Sequence, residues 1–162
     1  MSISAATLFE LIDGCETLQL ATLCDDGVPH ASYAPYVREE ERFYILISEA
    51  AHHCGYLMCH DRCSVMFIED ETAAGQIFAR KRVSLECRAA TVPRDDPSFT
   101  HHTGLLERRF GAIVPMLLQM KDFHLFELLP QSGEAVFGFG EAYRFNGDFT
   151  RIEPKTSGHR EP

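Results

Sequence analysis

Hydrophobic positions along the chain change period several times, and each change marks an element. Residues 4–13 (SAATLFELID) place Leu8, Leu11 and Ile12 on one helical face, which predicts a short helix. LQLATLC (18–24) alternates and predicts a strand, and DDG supplies a turn. VPHASYAPYV (28–37) and RFYILIS (42–48) extend the alternation as an antiparallel meander, joined by the charged REEE. Pro35 cannot donate to a ladder, so that strand should be bulged or lie at an edge. Ser48 is a capping residue type, which predicts a helix over about 49–59.

Further on, CSVMFIED (63–70) is a nearly continuous apolar run and predicts a strand covered on both faces. IFARKRVSLECRAATV (77–92) alternates after Arg82 and predicts a long strand, ended by PRDDPS. A second helix is expected over about 98–120, with Pro115 kinking or ending it early. DFHLFELL (122–129) and EAVFGFGEAYRF (134–145) predict a hairpin turning at PQSG. The glycines of FGFGEA suit a strand that bends or lets another backbone approach. Beyond NGD the pattern dissolves. Hairpin-linked strands with helices between some of them predict an α+β, mainly β fold: a six-stranded antiparallel β-barrel with flanking helices. Residues 1–147 would form the barrel domain and 148–162 a flexible tail.

Composition narrows the function classes. The 162 residues are 45% hydrophobic and 24% charged, with a formal net charge of −9. An acidic average argues against a general nucleic-acid binder, which needs a basic face. No apolar run approaches the ~20 residues that span a membrane. The N-terminus has neither a basic region nor a long apolar stretch, and the six cysteines are then expected as free thiols in a cytoplasmic protein.

Four segments carry candidate chemistry. HHCGYLMCHDRC (52–63) gathers His52, His53 and His60 with Cys54, Cys59 and Cys63, but its spacings are not those of paired zinc ligands. The plainer reading makes the cysteines small hydrophobes on a buried helix face. Adjacent helix positions diverge by ~100°, so one of His52 and His53 at most faces a given pocket. FARKR (78–82) places Arg80, Lys81 and Arg82 at a strand start. Alternation would send Arg80 and Arg82 to one face, where two guanidiniums suit a phosphate or carboxylates; the alternative is a solvated strand end paired with IEDE. Asp122 reads locally as a turn residue, although a carboxylate there could orient a histidine. His159 sits in the terminal SGHR; local sequence reads as disorder, and the alternative is an arm reaching a neighbouring subunit. Neither a phosphate-binding loop nor a GxGxxG in strand–helix context occurs.

The ordered set ASYAPYV, FYILISEAAHH, VMFIEDE, QIFARKR, MKDFHLFEL and GFGEAY, over about residues 16–147, resembles the haem-utilisation family of the flavin split-barrel superfamily, and SGHR resembles its C-terminal haem-ligand motif. The resemblance implies a homodimeric six-stranded split barrel that binds haem between subunits. It assigns His159 to the haem iron and Asp122 of the other subunit to that ligand. It sets Arg80 and Arg82 near the propionates or distal ligand, and matches His53 to a family histidine. It further implies oxidative haem degradation to a biliverdin-like product with iron release, fed by an external electron donor. His52, Gly55 and Tyr56 depart from the family pattern. Two alternatives belong to the same resemblance. One is an FMN-dependent oxidoreductase of the pyridoxamine-phosphate-oxidase type, with Arg80, Lys81 and Arg82 on the FMN phosphate. The other is a non-catalytic haem carrier or store.

Overall fold

A single residue, Tyr36, separates the two edges of one sheet. The computed structural model describes residues 2–156. Strand β1 (Thr17–Leu23) pairs antiparallel with β2 (Pro29–Pro35), which forms one edge; β3 (Val37–Glu39), the other edge, begins one residue after β2 ends. The order between them runs through β1, β5 (Arg62–Ile68), β6 (Arg82–Val92), β7 (Phe123–Val136) and β4 (Arg42–Ser48). Joined edges can only be reached if the sheet curls on itself, which makes a barrel. The rings of Tyr36, Phe43 and Phe67 meet inside it, 5.0–5.8 Å apart, and all three are fully buried. Each such aromatic removes a large apolar surface from water.

Strict alternation builds the wall. β1 buries Leu18, Leu20 and Thr22 and exposes the residues between them, and β5 buries Cys63, Val65 and Phe67 with half-buried residues between them. Helix α1 (Ala5–Asp13) starts where Ser4 Oγ accepts the Thr7 N–H and plugs the barrel with Leu8 and Ile12, one turn apart. Helices α3 (Pro97–Phe110) and α4 (Ile113–Leu118) cover a smaller cluster made by Val37, Tyr44, Phe99, Leu106, Val114 and Leu125.

The antiparallel split barrel expected from the sequence is the observed architecture, and among the described residues its sheet counts nine strands where six were expected. The local differences have physical causes. PQSG is no turn: it lies inside the 14-residue β7, whose first half pairs with β4 and whose second half pairs with β8 (Ala142–Asn146). The chain reverses instead at residues 137–141, where Gly140 has φ 75°. The fifth predicted strand starts at Arg82, because 71–73 and 77–79 form 3₁₀ turns. The second helix breaks at Gly111, with φ 85°, and Pro115 sits in the first turn of α4, where a missing N–H costs little. Helix α2 (His52–Cys59) starts later than predicted: Ser48 Oγ accepts the Ala50 N–H in a turn ahead of it. Past residue 147 a short strand, β9 (Ile152–Pro154), pairs with β8, and Lys155 N–H donates to Ala142. Among the described residues, no helix is long and apolar enough to cross a membrane.

Candidate functional site

Asp122 stands at the corner where β7 begins. It lies in the turn that local sequence implied, and its backbone carbonyl accepts the Glu49 N–H at 2.9 Å, which extends the β4–β7 pairing by one bond. Its Oδ2 accepts the Ser48 hydroxyl at 2.7 Å, while Oδ1 accepts nothing from the described residues. Beside it, His124 Nε2 lies 2.5 Å from Glu49 Oε1. The neighbours Lys121, Phe123 and His124 line a cleft of about 990 Å³ that runs on to His60, Arg62 and Arg94. A carboxylate oriented by one hydroxyl, with its second oxygen unused, can take a further N–H.

Arg80, Lys81 and Arg82 lie at the other end of β7, since Arg82 is in register with Val136. Arg80 turns back on its own loop. Its Nε and Nη2 donate to the Glu69 carbonyl at 3.1 and 2.5 Å, and Nη1 lies 3.6 Å from Glu71. Arg82 donates from Nη1 to the Arg80 carbonyl at 3.0 Å, and among the described residues neither it nor Lys81 has a carboxylate partner for its side chain. The two arginines therefore do not act as a matched pair on one strand face. Phe78, which precedes these cations in the chain, is 84% exposed with Ile77 also turned outward, and Phe139, three residues past Val136, is 73% exposed. Exposed apolar side chains and cations are groups that a flat, anionic, largely apolar ligand can use.

His53 faces β2, its Nδ1 2.8 Å from Ser32 Oγ. Burial, helped by the nearby His30, lowers its pKa below the ordinary value, so it stays neutral near pH 7. His52 stacks with Tyr56, and both of these rings meet His30 edge-on, at 6.0 and 5.4 Å, so His30 lies near both adjacent histidines while the bond to Ser32 belongs to His53. The cysteines of this segment do not share one buried face. Cys54 and Cys63 are buried and Cys59 is exposed, and all three are free thiols. His159 lies outside the described residues.

The sequence reading passed over one constellation, Glu39 with His101 and His102, whose ligand atoms lie within 4.8 Å of one another. The consecutive histidines were the available signal, but their carboxylate partner is 62 and 63 residues away.

Comparison with known proteins agrees with this architecture. The family model "Pyridoxamine 5'-phosphate oxidase" matches residues 5–137. The chain is 43% identical over 149 residues to "Heme oxygenase HutZ" of Vibrio cholerae, covering 90% of this chain and 83% of that protein. The crystal structure of HutZ from Vibrio cholerae, described as a heme storage protein, superposes with a TM-score of 0.79 at 38% identity, covering 85% of this chain and 99% of that one. Campylobacter jejuni ChuZ superposes with a TM-score of 0.85 at 29% identity, covering 97% of this chain and 64% of that one. The chain belongs to the pyridoxamine 5'-phosphate oxidase family and, within it, to the haem-utilisation group of split-barrel proteins.

Proposed function

We propose that the protein binds haem between two copies of its chain and opens the porphyrin oxidatively in the cytoplasm, releasing iron. The observation that carries this reading is the 43% identity to heme oxygenase HutZ over 90% of the chain. The geometry supports it in two places. Among the described residues Lys81 and Arg82 have no carboxylate partner, and Phe78 and Phe139 are exposed, which are groups that suit propionates and a porphyrin face. Asp122 holds an unused carboxylate oxygen at the opposite end of β7, so a second copy of the chain is what would bring both kinds of group to one ligand.

In this reading haem is the substrate, O₂ the oxidant, and an external electron donor the reductant. His159 supplies the imidazole that binds the iron. Asp122 Oδ1 accepts that ring's other N–H, which fixes the tautomer and makes the ligand more basic. Ser48 holds the carboxylate in the orientation this needs. Arg80 keeps the 69–82 loop closed so that Lys81 and Arg82 present their charges outward. His53, neutral and tied to Ser32, adds no charge to its surroundings.

The test is a haemin titration followed by ascorbate in air. Binding should give a Soret band that shifts or disappears in His159→Ala, and ascorbate should then convert the band to biliverdin-like absorption. An unchanged spectrum in His159→Ala removes the ligand assignment. Tight binding with no loss of the Soret band under ascorbate makes the protein a haem store, the role that the second description of HutZ carries. A yellow protein with flavin absorption and no haem affinity replaces haem by FMN.

A further inference from the structure

Helix α3 begins at a fixed place. Asp96 caps it, its Oδ1 accepting the Ser98 N–H at 2.9 Å, and Pro97 occupies its first turn. That start sets where His101 and His102 point, which is toward β3. His102 is held firmly: its ring stacks on Tyr44 with centroids 3.6 Å apart and planes 14° from parallel, and 8% of its side chain is exposed. Glu39 reaches the pair from the end of β3, with one carboxylate oxygen on each ring. Oε1 lies 2.8 Å from His101 Nε2 and Oε2 lies 2.6 Å from His102 Nε2. Glu39 and His101 are 41% and 50% exposed, so water reaches the group from outside.

The nearby cations are committed elsewhere. Arg42 lies 3.0 Å from Glu127, and Arg38 lies 2.5 Å from Asp13. Glu40 and Glu41 add negative charge to the same hairpin. The result is two imidazole nitrogens and one carboxylate converging in an acidic neighbourhood, with an outer side accessible to water.

We infer that Glu39, His101 and His102 form a binding site for a divalent first-row transition metal such as Zn²⁺, Co²⁺ or Fe²⁺, separate from the haem site. Two imidazoles and a carboxylate with the remaining positions on water is a donor set these ions take. Metal–nitrogen bonds of ~2.0–2.1 Å put tetrahedral ligand atoms ~3.3 Å apart, so the carboxylate and His101 move outward by about half an ångström. Both are half exposed and can do so, while the stacked His102 stays in place. Binding the ion at Nε2 of each ring moves the ring proton to Nδ1. His102 Nδ1 is buried with no partner among the described residues, which holds the affinity below that of a fully supported zinc site.

The experiment is Co²⁺ titration of the full-length protein, free of haem, followed by visible d–d absorption and competition with Zn²⁺. One Co²⁺ per chain is expected, displaced by Zn²⁺, without the near-ultraviolet thiolate band that cysteine ligation gives. The signal should vanish in His101→Ala and in Glu39→Gln. Both positions are half exposed, and circular dichroism and thermal melts of each variant check folding. The signal should persist in Cys59→Ser and His159→Ala. Absence of binding in the wild-type protein overturns the site, as does Co²⁺ absorption that survives both His101→Ala and Glu39→Gln in folded protein.

Discussion

Asp122 and Arg82 mark the two ends of β7: Asp122 precedes Phe123, its first residue, and Arg82 pairs with Val136, its last. At ~3.3 Å per residue the strand between them covers roughly 40 Å of backbone. In the reading proposed above, one haem would meet the two groups from different copies. A two-fold pair would hold two such sites, each with Asp122 of one chain and Arg82 of the other. Asp122→Ala and Arg82→Ala homodimers should each lose haem turnover. Unfolding and refolding them together should restore about a quarter of the wild-type sites, since about half of the dimers are hybrids with one intact site. Hybrids verified by differential tags that recover no activity would show that both residues serve the same chain.

Tyr36 is the hinge of barrel closure. Its hydroxyl donates to the Ile12 carbonyl and lies 2.9 Å from the Cys15 carbonyl, and burial pushes its pKa up to about 12. Arg109 also donates to the Cys15 carbonyl at 2.6 Å and the Cys15 N–H donates to the Ile12 carbonyl at 3.0 Å, so Tyr36→Phe leaves both acceptors with a partner and removes only the hydroxyl's own bonds. Denaturant unfolding should show a loss of about 0.5–1.5 kcal/mol, the net worth of an ordinary hydrogen bond. Haem affinity should stay unchanged, because the ring keeps its place between Phe43 and Phe67. No measurable loss of stability would mean that the hydroxyl contributes nothing to closing the barrel.

Alternation was a sufficient guide where one face of a strand met the core, as in TLQLATL, whereas the apolar run of RCSVMFI suggested cover on both faces and only Cys63, Val65 and Phe67 are buried. It failed where a strand changes partners. Pro130 and Gly133 look like turn residues, but they stand where β4 has ended and β8 takes over the same edge of β7, next to the register shift at Glu86/Cys87. β9 was illegible because it offers a single apolar residue, Ile152. The turn role of Asp122 could be read locally, whereas its bond to Ser48 crosses 74 residues. The Glu39 contacts of His101 and His102 likewise depend on how α3 lies over β3, which no local pattern records.

Gly133 is a packing position. A Cβ there would lie 2.3 Å from Phe145 Cζ and 2.8 Å from Leu85 Cδ2, far inside contact distance. Gly133→Ala should cost about 1–3 kcal/mol through overpacking, seen as a lowered Tm. Adding Phe145→Leu should recover part of that loss by vacating the clash. A double mutant that melts no higher than Gly133→Ala alone would place the strain elsewhere.

The thiols should react in an order set by burial. Cys59 is exposed, whereas Cys54, Cys63 and Cys87 are buried. Desolvation is the main cause that raises all three buried thiols, Cys54 to about 11, Cys63 to about 12, and Cys87 further still. Native alkylation near pH 8, read by peptide mass spectrometry, should label Cys59 well before these three, which should require denaturant. Rapid native labelling of Cys63 or Cys87, neighbours across β5 and β6, would show that this part of the sheet opens readily.

His53 should make stability depend on pH in one direction. Burial and the nearby His30 hold its folded pKa below the ordinary value of 6.5. Above that value the ring is neutral in both folded and unfolded chains, and it adds no pH dependence. As the pH falls below it, the unfolded chain takes up the proton first, so the unfolded state gains and the folded state loses stability. The loss continues until the pH passes the lowered folded pKa and then levels off. Urea unfolding at a series of pH values should show this by difference: wild type minus His53→Gln is flat above pH 6.5 and falls below it. Carboxylates that titrate at lower pH are common to both proteins and cancel. A difference that rises on acidification would mean that His53 gains a proton more readily in the folded barrel than outside it, and that its contact with Ser32 supports the charged ring.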